Sequence, residues 1–138
     1  MNLRYSFWIT TTALLGGGAY AGYVQPAAVD VDLVNQFAQG DQLTARTADN
    51  DLDLIGCGIR VVDVDGSTFE WGFCQAQDSE GDQITCFTES PVLLERIRGL
   101  STYSFITFSW QVNAPFGEEC IRVGFSTQSF YLPKEKAK

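Results

Sequence analysis

The sequence predicts a mainly β fold: a small antiparallel sandwich or curled sheet, braced by disulfides and carrying one short helix. Three observations support this class. After residue 52, runs rich in β-branched and aromatic residues recur with turn signals between them. Only one segment, about residues 90–99, has apolar residues at mostly helical spacing. Four cysteines lie in a chain of 138 residues, and that length suits a single domain.

The first 21 residues have the layout of a secretory signal peptide. Arg4 gives a positive start, residues 7–15 form a short apolar stretch, and Ala19-Tyr20-Ala21 is a small-x-small cleavage signal. The apolar stretch is too short to cross a bilayer, which needs about 20 apolar residues. We therefore expect cleavage near Ala21 and a secreted or periplasmic protein with no membrane span.

Residues 22–51 are polar and predict a leader into the domain. Val29 and Val31 alternate with Asp30 and Asp32, which predicts one edge strand, although a flexible leader fits equally well. The β domain is predicted to occupy residues 52–133. Residues 134–138 carry charges at high density and predict a solvated tail.

Three strands are predicted in the first half of the β domain. Residues 55–64 are rich in β-branched side chains, Asp65-Gly66-Ser67 is a turn signal, and residues 68–76 are rich in aromatics, which together indicate a hairpin. A polar turn over residues 77–82 then leads into a third strand at 83–88.

The predicted helix has recognisable ends. Ser90 is a suitable N-cap residue, and Pro91 fits the first helical turn. Gly99 is a suitable terminator. Two turns of helix do not hold in water on their own, so this helix must dock its apolar side on the sheet.

Two or three strands follow the helix. Residues 102–112 have large apolar groups on both faces and predict a central strand covered on both sides, with Phe108 and Trp110 in the core. Residues 120–125 alternate in polarity, and Ile121 is one of the side chains predicted to point inward. Residues 127–132 could form a last short strand.

The cysteines are predicted to form two structural disulfides. Cys57, Cys74, Cys86 and Cys120 are separated by 16, 11 and 33 residues. A zinc site is the alternative, but structural zinc sites usually carry paired ligands two to four residues apart. Because Cys74 and Cys86 flank the second turn, the expected pairs are 74–86 and 57–120.

The chain is acidic, with a formal net charge of −8. Nucleic acid and anionic lipid are therefore poor partners. Carboxylates crowd two turns at the predicted rim of the sheet, and oxygen-rich turns can bind Ca²⁺, although a solvated acidic surface is the simpler interpretation. The candidate ligands are Asp63, Asp65, Asp78, Glu80 and Asp82.

The sequence contains no histidine. This excludes Ser-His-Asp and Cys-His catalysis and the histidine-based metal sites. Catalysis by carboxylates alone stays open, and a pair could come from Glu70, Glu89, Glu118 or Glu119. Nothing in the sequence fixes their separation, so it identifies no catalytic residue.

Aromatic side chains are the candidate contacts for a partner protein or glycan. Trp71 and Tyr131 lie in or near predicted strands, where an exposed ring could stack on a sugar or anchor a protein. For both residues, a place in the core is an equally good interpretation.

Residues 74–133 resemble a pattern found in small exported bacterial proteins with two disulfides and no assigned role. The resemblance lies in Cys74-x-Ala76, the Gly81 turn, Cys86, Ser90-Pro91 with its short helix, Ser104-Phe105-Ile106-Thr107-Phe108, Cys120-Ile121-x-Val123 and Ser129-x-Tyr131-x-Pro133. It implies no activity, ligand or site.

The sequence favours an exported, non-enzymatic binding or structural module of the bacterial envelope or extracellular space. The alternative is a carboxylate-based hydrolase acting on polysaccharide or peptidoglycan. A third reading is a secreted inhibitor or effector that uses residues 113–119 as its contact loop. The partner and the oligomeric state are left open.

Overall fold

The computed structural model describes residues 23–113 and 117–134, and within them the chain is mainly β, as predicted. The strands are β1 (Asp30–Asp32), β2 (Phe37–Asp41), β3 (Leu54–Val64), β4 (Ser67–Gln77), β5 (Gln83–Thr88), β6 (Phe105–Asn113) and β7 (Gly117–Ser126). The helices are α1 (Gln42–Arg46), α2 (Pro91–Arg98) and a 3-10 turn (Ser129–Tyr131). All seven strands form one open sheet in the order β1-β2-β6-β7-β5-β4-β3.

The junction between β5 and β7 divides this sheet into two groups of strands. Every other neighbouring pair is antiparallel, as predicted, whereas β5 and β7 pair in parallel through the single residue pair Phe87 and Glu119. The strands β3, β4 and β5 form one antiparallel group, and β1, β2, β6 and β7 form the other. The sheet is therefore mixed, and its weakest backbone pairing lies at this junction.

The segment 22–51 contributes more to the sheet than the predicted leader or single edge strand. It carries β1, which is an edge strand, and also β2 and α1. Small residues explain why the sequence did not reveal β2. Ala38 is fully buried, and a Cβ on Gly40 would lie 2.9 Å from the Cα of Val29. Because alanine and glycine have small side chains or none, this segment lacks the pattern of large hydrophobic residues that predicts a strand.

Helix α2 covers the core face of the sheet. It spans nearly the predicted residues, with Ser90 as N-cap and Gly99 as C-cap. Leu94 and Ile97 are its buried residues. The helix comes close to β4 because Gly72 lacks a side chain: a Cβ there would lie 2.7 Å from Ile97 Cδ1.

Strand β6 is central, as predicted, and its two faces differ in burial. Phe108 and Trp110 lie in the core, which confirms their predicted place, and Ile106 is fully buried beside them. Residues on the other face, such as Phe105, are only half-buried. The ring of Phe105 stacks on Tyr131 at 5.6 Å between centroids, so the 3-10 turn gives that face part of its cover.

The prediction that Ile121 points inward is wrong, since its side chain is 51% exposed. The cause is a β-bulge. Ser109 pairs with Arg122, whereas its neighbour Trp110 pairs with Cys120, so Ile121 is an extra residue in β7. Simple alternation therefore fails at this position.

The disulfides join Cys57 to Cys74 and Cys86 to Cys120, so the predicted pairing is wrong. The predicted strands are nevertheless present. Cys74 lies directly opposite Cys57 on β3 and also opposite Cys86 on β5. Spacing along the chain could not decide between these two cross-strand neighbours. Because all four cysteines are in disulfides, the zinc alternative is excluded.

Candidate functional site

A groove of about 470 Å³ lies beside the β5–β7 junction. Its walls come from β4, the end of β5, the end of β6 and the start of β7. One part of the lining is aromatic and the other is acidic. The lining residues are Phe69, Trp71, Phe87, Thr88, Glu89, Asn113, Glu118 and Glu119. We call this the aromatic groove.

Three rings form the apolar part of the aromatic groove. Phe69 and Trp71 are two residues apart on β4 and therefore share a face, opposite the face on which Gly72 meets α2. Their rings stack with centroids 5.6 Å apart and planes 24° apart. Phe69 is 55% exposed and Phe87 is 48% exposed. An aromatic lining with a few polar groups is usual in ligand-binding grooves.

Three carboxylates form the acidic part of the groove. Glu119 is held in place, because its Oε2 accepts hydrogen bonds from Asn113 Nδ2 at 2.8 Å and Gln111 Nε2 at 3.1 Å. Within residues 23–113 and 117–134, the carboxylates of Glu89 and Glu118 have no hydrogen bond or ion pair. Among the residues that the structure describes, no basic side chain lines the groove. Its acidic side is therefore not neutralised by the groove itself.

The disulfide between Cys86 and Cys120 fixes the two sides of the groove relative to each other. Cys86 immediately precedes Phe87 on β5, and Cys120 immediately follows Glu119 on β7. The aromatic and acidic sides are therefore tied covalently at the point where the backbone pairing is weakest. A cross-link here keeps the groove preformed.

The row of aromatic side chains on this face of β4 continues beyond Trp71 to Phe73, and an arginine covers the Phe73 ring. The guanidinium carbon of Arg60 lies 4.7 Å from the centroid of Phe73. Gly58 leaves room for this ring, because a Cβ there would lie 2.8 Å from Phe73 Cζ. This face of the sheet thus shows how a cation packs on one of its rings.

The groove brings together several residues that the sequence singled out. Trp71 lies in it, half-buried, as do Glu89, Glu118 and Glu119. Glu70 lies outside it and forms an ion pair with Arg98 at the end of α2. The sequence did not single out Phe69 or Phe87. For Phe69 the signal was available, since it falls two residues before Trp71 in a predicted strand.

Tyr131 lies away from the aromatic groove and is only 7% exposed. Its ring contacts Phe105 and Phe130, with centroids 5.6 Å and 4.6 Å away. It also lines a smaller cavity of about 220 Å³, together with Asp41 and residues 24–26. The predicted binding role of Tyr131 stays a prediction, while its packing role is visible.

We expect the stability to fall at alkaline pH because of Tyr131. Burial, and then the negative charge of Asp41, raises the pKa of Tyr131 above its ordinary value. The folded state therefore holds this proton more tightly than the unfolded chain does, and the stability so gained is lost as the pH rises through the folded-state pKa. Urea unfolding at a series of pH values above about 10 measures this loss, and Tyr131→Phe should reduce it. An equal loss in the variant would contradict the assignment.

The predicted Ca²⁺ ligands lie at the two ends of β4. Asp63 lies near the end of β3 and Asp65 in the β3–β4 turn, whereas Asp78, Glu80 and Asp82 belong to the β4–β5 turn. The buried carboxylate of Asp78 accepts N–H bonds from Glu80 and Asp82, and another from Val31 on β1. No group of three or more His, Cys, Asp or Glu in the described residues is arranged to hold a metal ion. Ca²⁺ binding stays a prediction without a defined site.

Two disulfides fit an extracellular or periplasmic protein, as the sequence predicts. Across the part of the chain that the structure describes, no helix has the length and apolar character needed to span a membrane. The predicted signal peptide and its cleavage site lie at residues 1–21, outside the described residues.

Comparison of the chain with protein-family models, with curated proteins and with solved structures finds no match. The resemblance of residues 74–133 to small exported bacterial proteins therefore stays a prediction.

Proposed function

We propose that this protein is an exported, non-enzymatic binding module that uses the aromatic groove to hold a ligand outside the cytoplasm. The observation that carries the proposal is the cluster of Phe69, Trp71 and Phe87 around one groove, with two of these rings about half exposed. Exposing such rings to water costs free energy. Partner contact recovers it, and aromatic side chains of this kind dominate binding at protein interfaces.

The dimensions and rigidity of the groove support this proposal. Its volume of about 470 Å³ falls within the range of roughly 300–1,000 Å³ that is usual for ligand sites. The disulfide between β5 and β7 holds its sides together before any ligand arrives. A preformed site loses less conformational entropy on binding than a flexible one.

A carboxylate-based hydrolase is the second candidate, because Glu89, Glu118 and Glu119 line the same groove. Glycoside cleavage needs one carboxylic acid that donates a proton and one carboxylate that acts as base or nucleophile. Such an enzyme would release reducing ends from polysaccharide or peptidoglycan. Loss of that release in both Glu89→Gln and Glu118→Gln would establish this candidate over simple binding.

Trp71→Ala is expected to abolish most ligand capture by the aromatic groove. We would apply the protein to arrays of soluble glycans and of peptides and compare the variant with Phe105→Ala, which removes an aromatic outside the groove. Ligands that bind the wild-type protein should bind Trp71→Ala at least about fivefold more weakly, since aromatic anchors contribute 1 kcal/mol or more. Equal retention by the wild-type protein and Trp71→Ala would contradict the proposal.

A further inference from the structure

We propose that the ligand of the aromatic groove is a cationic side chain, arginine or lysine, presented by a basic partner protein. This inference rests on the proposed function and names its ligand class. It follows from the charge of the groove, from its hydrogen-bonding groups and from the neighbouring contact between Arg60 and Phe73.

Charge complementarity is the first argument. The described part of the groove lining has three carboxylates and no basic residue. Arginines near aromatic rings or acids in the described chain make their contacts outside the groove lining. Arg98 pairs with Glu70, and Arg122 lies over Phe37. Arg60 lies opposite Trp71 in the β3–β4 register, but its guanidinium covers Phe73. The carboxylates of Glu89 and Glu118 have no partner among the described residues. A cationic group entering the groove would neutralise them, whereas an anionic group would be repelled.

The hydrogen-bonding groups of the groove are the second argument. The three carboxylates of the lining only accept hydrogen bonds. Its side-chain donors are the Trp71 indole N–H, the Thr88 hydroxyl and the Asn113 amide, which already donates to Glu119. A guanidinium group offers five donors and no acceptor, and an ammonium group offers three donors and no acceptor. A sugar hydroxyl is both donor and acceptor. Because carboxylate acceptors outnumber the donors of the lining, the groove favours a ligand that only donates over a neutral glycan.

The neighbouring ring on β4 is the third argument. Phe73 lies on the same face as Phe69 and Trp71, and Arg60 covers it at 4.7 Å. Within the described residues, no arginine lies over Phe69, Trp71 or Phe87. A partner's arginine or lysine placed on these rings would repeat the contact that the chain makes with its own Arg60, with carboxylates added beside it.

The test compares two peptides that differ only in charge. One carries three arginines between glycines, and the other carries citrulline at the same positions, which keeps the shape and removes the positive charge. Isothermal titration with the full chain is expected to show binding of the arginine peptide and at least about fivefold weaker binding of the citrulline peptide. Higher salt should weaken the arginine complex, because part of the attraction is between exposed charges.

Variants distinguish binding at the groove from attraction to the negative charge of the whole chain. Glu89→Gln combined with Glu118→Gln should lower the affinity for the arginine peptide by about fivefold or more. Trp71→Ala should do the same. Asp49→Asn combined with Asp51→Asn removes the same number of charges from an exposed loop outside the groove and should leave the affinity nearly unchanged. Thermal unfolding of each variant checks that the fold is intact.

The outcomes are distinguishable. Equal weakening by the groove pair and the loop pair would show general charge attraction and overturn the inference. Two outcomes would overturn the inference of a cationic ligand but keep the proposed binding function. They are Trp71-dependent binding of a neutral glycan, and Trp71-dependent binding of the citrulline peptide as strong as that of the arginine peptide. Absence of binding by every peptide would overturn the inference, and absence of Trp71-dependent capture on the arrays as well would overturn the proposed function.

Discussion

Replacing Cys86 and Cys120 with alanine is expected to lower the free energy of unfolding by about 4 kcal/mol. The two residues are separated by 34 positions along the chain, and the chain-entropy cost of losing a cross-link grows with the length of the loop that it closes. The effect should also reach the fold itself. Apart from this bond, the two groups of strands pair at their junction through one residue pair, Phe87 and Glu119.

The matched control is the double variant Cys57→Ala and Cys74→Ala. This bond joins residues 17 positions apart, so its loss should cost about 3 kcal/mol. It joins two strands that already pair over eleven residue positions. Urea denaturation measures both variants, and the junction variant should unfold at the lower concentration. An equal or smaller effect at the junction would contradict the view that this disulfide holds the two groups of strands together.

The same experiment has a chemical counterpart in the wild-type protein. Proteolysis without reduction, followed by mass analysis, should give the linked pairs 57–74 and 86–120. Recovery of 74–86 would mean that Cys74 had bonded to its other cross-strand neighbour. In that case the sheet could be as described, but the aromatic and acidic sides of the groove would lack their covalent tie.

Local patterns predicted the elements of this fold better than the contacts between them. The hairpin β3–β4, strand β5 and helix α2 follow from turn residues, apolar spacing and a serine at the N-cap position, although the Ser90 side chain makes no capping hydrogen bond. The disulfide pairing does not, because Cys74 has a cysteine opposite it on both sides. The parallel contact between β5 and β7 also has no local signal, since it joins residues that are far apart in sequence.

The candidate site was only partly predictable for the same reason. Trp71 and the glutamates were recognisable as residue types that bind or catalyse. Their convergence depends on the β5–β7 junction, which brings Phe87 beside Glu119. The bulge at Ile121 changes which residues of β7 face the core, and no alternation of polarity reveals it. The sequence thus identified individual residues of the site, whereas their proximity depends on the order of the strands in the sheet.

Phe108→Ala is expected to destabilise the protein by roughly 3–5 kcal/mol, as is usual for removal of a buried phenylalanine. Phe108 is fully buried on β6, in the same cluster as Ile106 and Trp110. The centroid of its ring lies 6.1 Å from the centroid of the Trp110 ring. The variant would leave a cavity on the core side of β6, because the packed neighbouring side chains cannot move far enough to fill it.

Phe87→Ala is the matched control, with the same substitution on a ring that is 48% exposed. Because about half of this ring is already in water, its loss should cost only about 1 kcal/mol of stability. Ligand capture should respond in the opposite order, since Phe87 lines the aromatic groove and Phe108 does not. Urea unfolding and array binding of both variants measure the two effects. A stability loss in Phe87→Ala as large as that in Phe108→Ala would show that Phe87 belongs to the core, and the exposed aromatic surface would then no longer argue for a ligand.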